Sequence, residues 1–412
     1  MFMKFLRTVS TQRLLASIAG LVLAAGAGTA IAVAASGSGP VPAKKPLARA
    51  LHDALAAKSI SGISADVTFT NHLIDASNLQ GSDPLLTGAS GRIWLSSDHR
   101  LRLELQSDIG DAQVVVNNGS FWVYDPGSKT VYQGKLPKGV GAGKAKDAAA
   151  GKQDKLPTVA EIQTDLAKLT KQINVSGAMP SDVGGQAAYT VRVSPKHDGG
   201  LLGAGELAWD AAKGVPLRFA VYAQHQSAPV LELKATNISY GPVASSVFAI
   251  TPPLGTKVVR VSTPKGSASA ADKKTGKKSG KAHKHADVHG AAAVAKHVPF
   301  TLVAPSKLVG LPRRSVTLLD WAGHPAALVT YGENLGGIAV IEQKGGAQTA
   351  APKTTGEHHH GLSLPTVSIN GATGTELDTA LGTMVRFTSG GVAYTIVGSV
   401  PAAAADAAAR AL

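Results

Sequence analysis

Apolar residues recur at every fourth position through Leu47, Leu51 and Leu55, and from Ile63 onward the period drops to two. The first spacing predicts a helix that ends before Ser61-Gly62; the second predicts strands. Along those strands Leu101, Leu103 and Leu105 share a face opposite Arg102 and Glu104, while Tyr189, Val191 and Val193 oppose Thr190 and Arg192. Leu217, Phe219 and Val221 likewise oppose Arg218, and Leu231 and Leu233 oppose Glu232 and Lys234. One apolar and one polar face is the pattern of an antiparallel sheet covered on a single side. Turn residues at Asn117-Asn118-Gly119, Asp125-Pro126-Gly127-Ser128, His197-Asp198-Gly199-Gly200 and Ala212-Lys213-Gly214 punctuate it as a meander.

A second helix is expected from about Thr158 to Ile173, with Val159, Ile162, Leu166, Leu169 and Ile173 on one face and Thr158 and Glu161 spaced as a capping box. Two amphipathic helices and a one-sided sheet can close over a shared apolar space. Periodicity alone leaves open whether protein or a ligand fills it. Farther on, short β-like runs at 315–321, 326–331, 337–342, 383–387 and 393–398, followed by Pro401 and an Ala-rich helix to Leu412, predict a smaller α+β unit.

A chain of 412 residues accommodates two such domains. Its net charge of +14 is concentrated in one place: between Lys257 and Lys296 lie ten Lys and Arg against Asp272 and Asp287. That run is rich in Gly, Ser and Ala and has no aromatic residue to stack a base, so it reads as a basic tether, and nucleic acid is not an expected partner. At the N-terminus Lys4, Arg7 and Arg13 precede an uncharged stretch from Leu14 to Ala35, long enough to span a bilayer. It is expected to anchor the chain in the cytoplasmic membrane, with secretion after cleavage near Ala34 or Ala35 as the alternative. The body is placed outside the cytoplasm in either case.

Four segments carry a family resemblance: Gly91-Arg92-Ile93-Trp94-Leu95, the run Leu101 to Leu105, Asn118 to Pro126, and Phe248-Ala249-Ile250-Thr251-Pro252-Pro253-Leu254-Gly255-Thr256-Lys257-Val258-Val259, the last read as a β-type segment running into its two prolines. In order and spacing they resemble the LolA family of bacterial lipoprotein carriers, over about residues 46 to 260. Tyr331 to Val340 and Tyr394 to Pro401 are similar to the C-terminal domain of RseB and MucB regulators. The resemblance implies an α+β fold: a curved antiparallel sheet, an unclosed half-barrel lidded by helices, with a smaller α+β C-terminal domain. It divides the chain into an export or anchor segment (1–36), a carrier-like domain (46–260), a linker (261–298) and an RseB-like domain (299–412). It further implies lipoprotein or lipid acyl chains as ligands, and a membrane anti-sigma factor as an alternative partner. Trp94, Leu101, Leu103, Leu105, Phe121, Val123, Tyr189, Val191 and Phe219 become the candidate cavity residues. One departure stands out: enterobacterial carriers latch the lid with an arginine three residues after the Trp94 equivalent. This chain has Ser97 there, leaving Arg100 or Arg102 as substitutes.

Other chemistry finds little footing. The chain contains no Cys, which removes thiol catalysis, thiolate metal sites and disulfides. His283, His285, His289 and His358 to His360 are closely spaced, but flanking lysines and the scarcity of nearby carboxylates argue against a metal site. No G-x-S-x-G, H-E-x-x-H or phosphate-loop motif occurs, so neither an enzyme nor a cofactor is expected.

Overall fold

The computed structural model describes residues 39–75, 84–108, 110–136, 156–197, 199–261, 288–321, 324–346 and 364–412. The N-terminal segment 14–35, most of the basic tether and His358 to His360 lie outside the described residues. Among the described residues no helix is long and apolar enough to cross a membrane.

Alternating sequence becomes two separate sheets. The first holds β1 (Gly62–Asn71), β2 (Gly88–Ser96), β3 (Leu101–Leu105), β4 (Ala112–Asn117), β5 (Ser120–Asp125), β6 (Thr130–Lys135), β7 (Ile173–Val175), β8 (Met179–Val183), β9 (Gln186–Pro195), β10 (Leu202–Asp210), β11 (Pro216–Ala223), β12 (Leu231–Tyr240) and β13 (Lys257–Val261). Its order is β13-β6-β5-β4-β3-β2-β1-β12-β11-β10-β9-β7, with β8 also paired to β9. The result is an open, curled half-barrel built of two meanders that meet where β1 pairs with β12. The turns behave as their residues dictate. Asn118 (φ 49°) and Gly119 (φ 72°) supply two left-handed positions between β4 and β5, and Asp125 Oδ1 accepts the Gly127 N–H at 2.9 Å in the next turn.

Helix α1 (Leu47–Ala56) lies on one face of this sheet, with Leu47, Ala50, Leu51 and Ala54 against Tyr189, Val191, Leu207 and Trp209. That face is called inner below. A short α2 (Pro84–Thr87) places Leu85 over β1 and β2. Helix α3 (Val159–Leu169) starts at the expected capping box: the Glu161 N–H donates to Thr158 Oγ1 at 3.2 Å and the Thr158 N–H donates back to Glu161 Oε2 at 2.7 Å. It ends earlier than its apolar spacing suggests. Thr170 caps it, and Ile173 is instead the buried first residue of β7.

The second sheet has the order β14-β15-β16-β17-β21-β20-β19-β18, comprising β14 (Lys307–Leu308), β15 (Leu311–Trp321), β16 (His324–Tyr331), β17 (Ile338–Lys344), β18 (Thr366–Ile369), β19 (Ala372–Thr379), β20 (Gly382–Ser389) and β21 (Val392–Gly398). Helix α4 (Ala291–Ala295) and helix α5 (Ala402–Arg410) cover one side, with Val294, Ala405, Ala408 and Ala409 in its core. The two-domain α+β architecture follows.

Three expectations need correction. The tether does not extend to 298: the Gly290 N–H donates to the Val316 carbonyl and Val294 is fully buried, so 288–298 already belongs to the second core. The first sheet is not wholly antiparallel, because β13 runs parallel to β6. And the segment before Pro252 is no strand. Ser245–Phe248 forms a single 3₁₀ turn whose Val247 and Phe248 carbonyls are taken by Arg102 and by Asn117 Nδ2, each at 3.1 Å, and the strand begins only after the two prolines.

Candidate functional site

Register fixes which side chains share the inner face. One row runs Ile93, Leu103, Val114, Val123 and Tyr132 across β2 to β6; beside it run Leu95, Leu101, Val116 and Phe121. On the other half a row crosses six strands through Ala89, Phe69, Leu233, Phe219, Leu207 and Val191. The rows differ in depth. Leu105, Tyr189, Val191 and Leu207 are buried, whereas Phe69, Ile93, Leu101, Leu103, Val114, Phe121, Val123, Phe219 and Leu233 are half-buried. The filled part lies beneath α1. Away from it the apolar surface remains partly open.

Helix α3 packs beside α1, yet Val159, Ile162, Leu166 and Leu169 are all half-buried and no residue of α3 is fully buried. An amphipathic helix with its apolar stripe only half covered is held mainly by its caps and one neighbour.

Of the nine candidate residues, Leu101, Leu103, Leu105, Phe121, Val123, Tyr189, Val191 and Phe219 share the inner face. Trp94 does not, because it stands opposite Arg102 in the register that pairs Leu95 with Leu101. The guanidinium of Arg102 lies 5.1 Å from its ring centroid and that of Arg92 5.7 Å, a cation-stacked position on the outer face. Trp122 shares that face through its pairing with Val115. Nor does either arginine suggested as a latch approach the lid. Arg100 stacks on Phe248 at 4.9 Å, and Arg102 pairs with Glu104 while holding the Val247 carbonyl. Phe69, Ile93, Val114 and Leu233 belong to the same surface; Phe69 and Leu233 were readable in the alternation of β1 and β12, whereas Ile93 and Val114 sit in uniformly apolar runs.

A charged network lies on the outer face. Glu206, 3% exposed, accepts from Arg192 at 2.8 Å, Arg218 at 2.6 Å and the Tyr222 hydroxyl at 2.8 Å, and Arg218 also donates to Glu232 at 2.5 Å. Burial alone would raise the Glu206 pKa; the two arginines and Tyr222 outweigh it and hold the carboxyl below its ordinary range. A network of this kind, in which the Arg192 Nε is buried without a hydrogen-bond partner, stiffens the back of the sheet while the inner rows remain apolar. A separate cleft of about 460 Å³ opens between Pro40, Pro42 and Tyr189, and its two cations are already paired, Lys45 with Asp53 at 2.8 Å and Lys213 with Asp210 at 3.8 Å. Among the described residues no group of His, Asp and Glu is arranged to hold a metal ion; His289 instead bonds Thr317 at 3.2 Å.

No family model and no curated protein matches the sequence. Solved structures give distant likenesses. The MucA/MucB complex of Pseudomonas aeruginosa aligns at 15% identity and a TM-score of 0.38, covering 88% of this chain and 96% of that one. An uncharacterised conserved protein from Thermus thermophilus aligns at 13% identity and a TM-score of 0.31, over 52% of this chain and 98% of that one. A putative outer membrane lipoprotein-sorting protein domain from Vibrio parahaemolyticus aligns at 10% identity and a TM-score of 0.19, over 49% of this chain and 95% of that one.

Proposed function

We propose that this chain is a binding protein of the cell envelope that holds a lipoprotein or lipid acyl chain against the inner face of its first sheet, for transport or sensing. The observation that carries the reading is the half-buried apolar surface through Leu103, Val114, Phe121, Phe219 and Leu233, together with the half-covered apolar stripe of helix α3, which packs beside α1. Each methylene moved from water onto such a surface contributes about 0.8 kcal/mol, so a fatty chain supplies affinity without any polar anchor. The basic residues ahead of the apolar segment 14–35 support a location outside the cytoplasm, anchored or released.

The test is uptake of a fluorescent fatty acid by wild-type protein and two variants, with thermal melting of each. Leu103→Asp abolishes uptake by facing a charge to hydrocarbon, and Leu103→Trp blocks it while the fold persists. No saturable uptake by wild type, together with a loss of about 1–3 kcal/mol in Leu103→Trp, means the space is packed core and the reading fails.

A second reading is favoured by hydrogen bonds that join the two sheets. The Leu201 N–H donates to the Ser399 carbonyl at 3.1 Å and the Ala380 N–H to the Leu73 carbonyl at 2.8 Å, at the ends of strands that line the inner face. In this reading the protein is a regulatory module, and occupancy of the first sheet alters how a membrane anti-sigma factor docks on the second. Capture of a single-span partner that fatty acid releases distinguishes it from a simple carrier.

A further inference from the structure

Strand β13 ends the first sheet, with β6 as its one neighbour among the described strands. The Lys257 N–H donates to the Lys129 carbonyl at 3.0 Å, so Lys257 and Val259 turn their backbone groups toward β6. Alternation then directs the N–H and C=O of Val258 and Arg260 outward. Two outward donor and acceptor pairs on a strand without a bulge or proline form a template for one more strand.

The side chains narrow what that strand is. Seven large hydrophobic residues are exposed among the described ones, and two of them lie on this strand or just before it: Val258 at 52% and Leu254 at 101% exposure. Lys257 and Arg260 lie on β13, Lys129 and Lys135 stand at the two ends of β6, and neither β6 nor β13 contains an acidic residue. Pairing with a second copy of β13 would oppose like charges, which is destabilising. An acidic strand carrying apolar side chains complements both features.

We infer that this edge docks an extended acidic segment of a partner protein, added as a strand beside β13. The backbone supplies the hydrogen bonds, Val258 and Leu254 the apolar contact, and the four cations the choice of partner. The site is independent of the inner face and does not rest on acyl-chain binding.

Full-length protein is titrated by fluorescence anisotropy with a labelled peptide of about ten residues alternating Glu and Val, and with its Lys–Val counterpart. Saturable binding of the Glu–Val peptide alone is expected, weakening as salt is raised. The Val258→Pro/Arg260→Pro pair removes both outward donors and leaves the bonds to β6, so affinity falls about tenfold or more with circular dichroism unchanged. Lys257→Glu/Arg260→Glu is expected to produce a similar fall, and it decides the matter alone if the proline pair disturbs the fold. Equal binding of the two peptides, no saturable binding, or undiminished affinity in the charge-reversed variant overturns the inference. So does a wild-type dimer in sedimentation that the proline pair dissociates, which assigns the edge to a second copy.

Discussion

The carboxylate of Glu342, fully buried, accepts a hydrogen bond from the backbone N–H of Val303 at 2.8 Å, while its other oxygen has no hydrogen-bond partner. Burial pushes this carboxyl up to about 7 from an ordinary 4.5, and the single N–H offsets only part of that. Tyr331 and Tyr394 are the titratable groups near it, both raised themselves chiefly by burial.

A raised carboxyl stabilises the folded state below its unfolded value and loses that contribution as pH rises through the folded one. Stability of the second sheet should therefore fall between about pH 5 and about pH 8, and Glu342→Gln should flatten the fall. Calorimetry across that range checks it; an unchanged slope in the variant contradicts the assignment.

Glu206 carries the opposite sign. Its lowered pKa means a contribution present above the unfolded value and lost as pH drops through the folded one. Glu206→Gln leaves Arg192 and Arg218 without their shared carboxylate and should cost about 3–5 kcal/mol at neutral pH. The gap between wild type and variant should narrow in acid, as followed by urea melts.

Helix α3 has no fully buried residue, so its capping box is a large part of its hold. Thr158→Ala should loosen α3 by about 1 kcal/mol. Under the proposed function a bound fluorescent fatty acid then leaves faster in a stopped-flow chase, while the global melting point barely moves. A release rate equal to wild type would detach α3 from any lid role.

At Gly91 a Cβ would run into the Glu104 carbonyl oxygen on the neighbouring strand. Gly91→Ala should cost about 1–3 kcal/mol through a forced shift between β2 and β3. Denaturant melts measure the loss, and neutrality would show that the two strands separate easily.

Much of this architecture was legible because local chemistry and tertiary structure agree. The alternation of β3, β9 and β11 assigned Leu103, Val191 and Phe219 to one face, and Thr158 with Glu161 marked the start of α3. Illegibility arose where one residue satisfied two patterns. Ile173 continues the α3 stripe by spacing and opens β7 in space. Ile93-Trp94-Leu95 is apolar throughout, so alternation alone gave no phase, and only pairing with Arg102 set Trp94 outward. Phe248 looked like strand because its anchors, Arg100, Arg102 and Asn117, lie far away in sequence. The second sheet's β18 and β19 were missed, since Thr, Ser and Gly dominate their alternation and offer little apolar signal.

The pairing of β1 with β12 has a consequence for how the molecule is made. Asn71 finds Leu231 only after every intervening strand of the half-barrel has been synthesised, so the first meander waits with β1 as a bare edge until the second arrives. Non-local closure of this kind slows folding and prolongs the interval in which an unpaired edge invites misassociation. A chain that crosses a membrane N-terminus first would emerge in that order, with its most adhesive strand waiting longest for its mate.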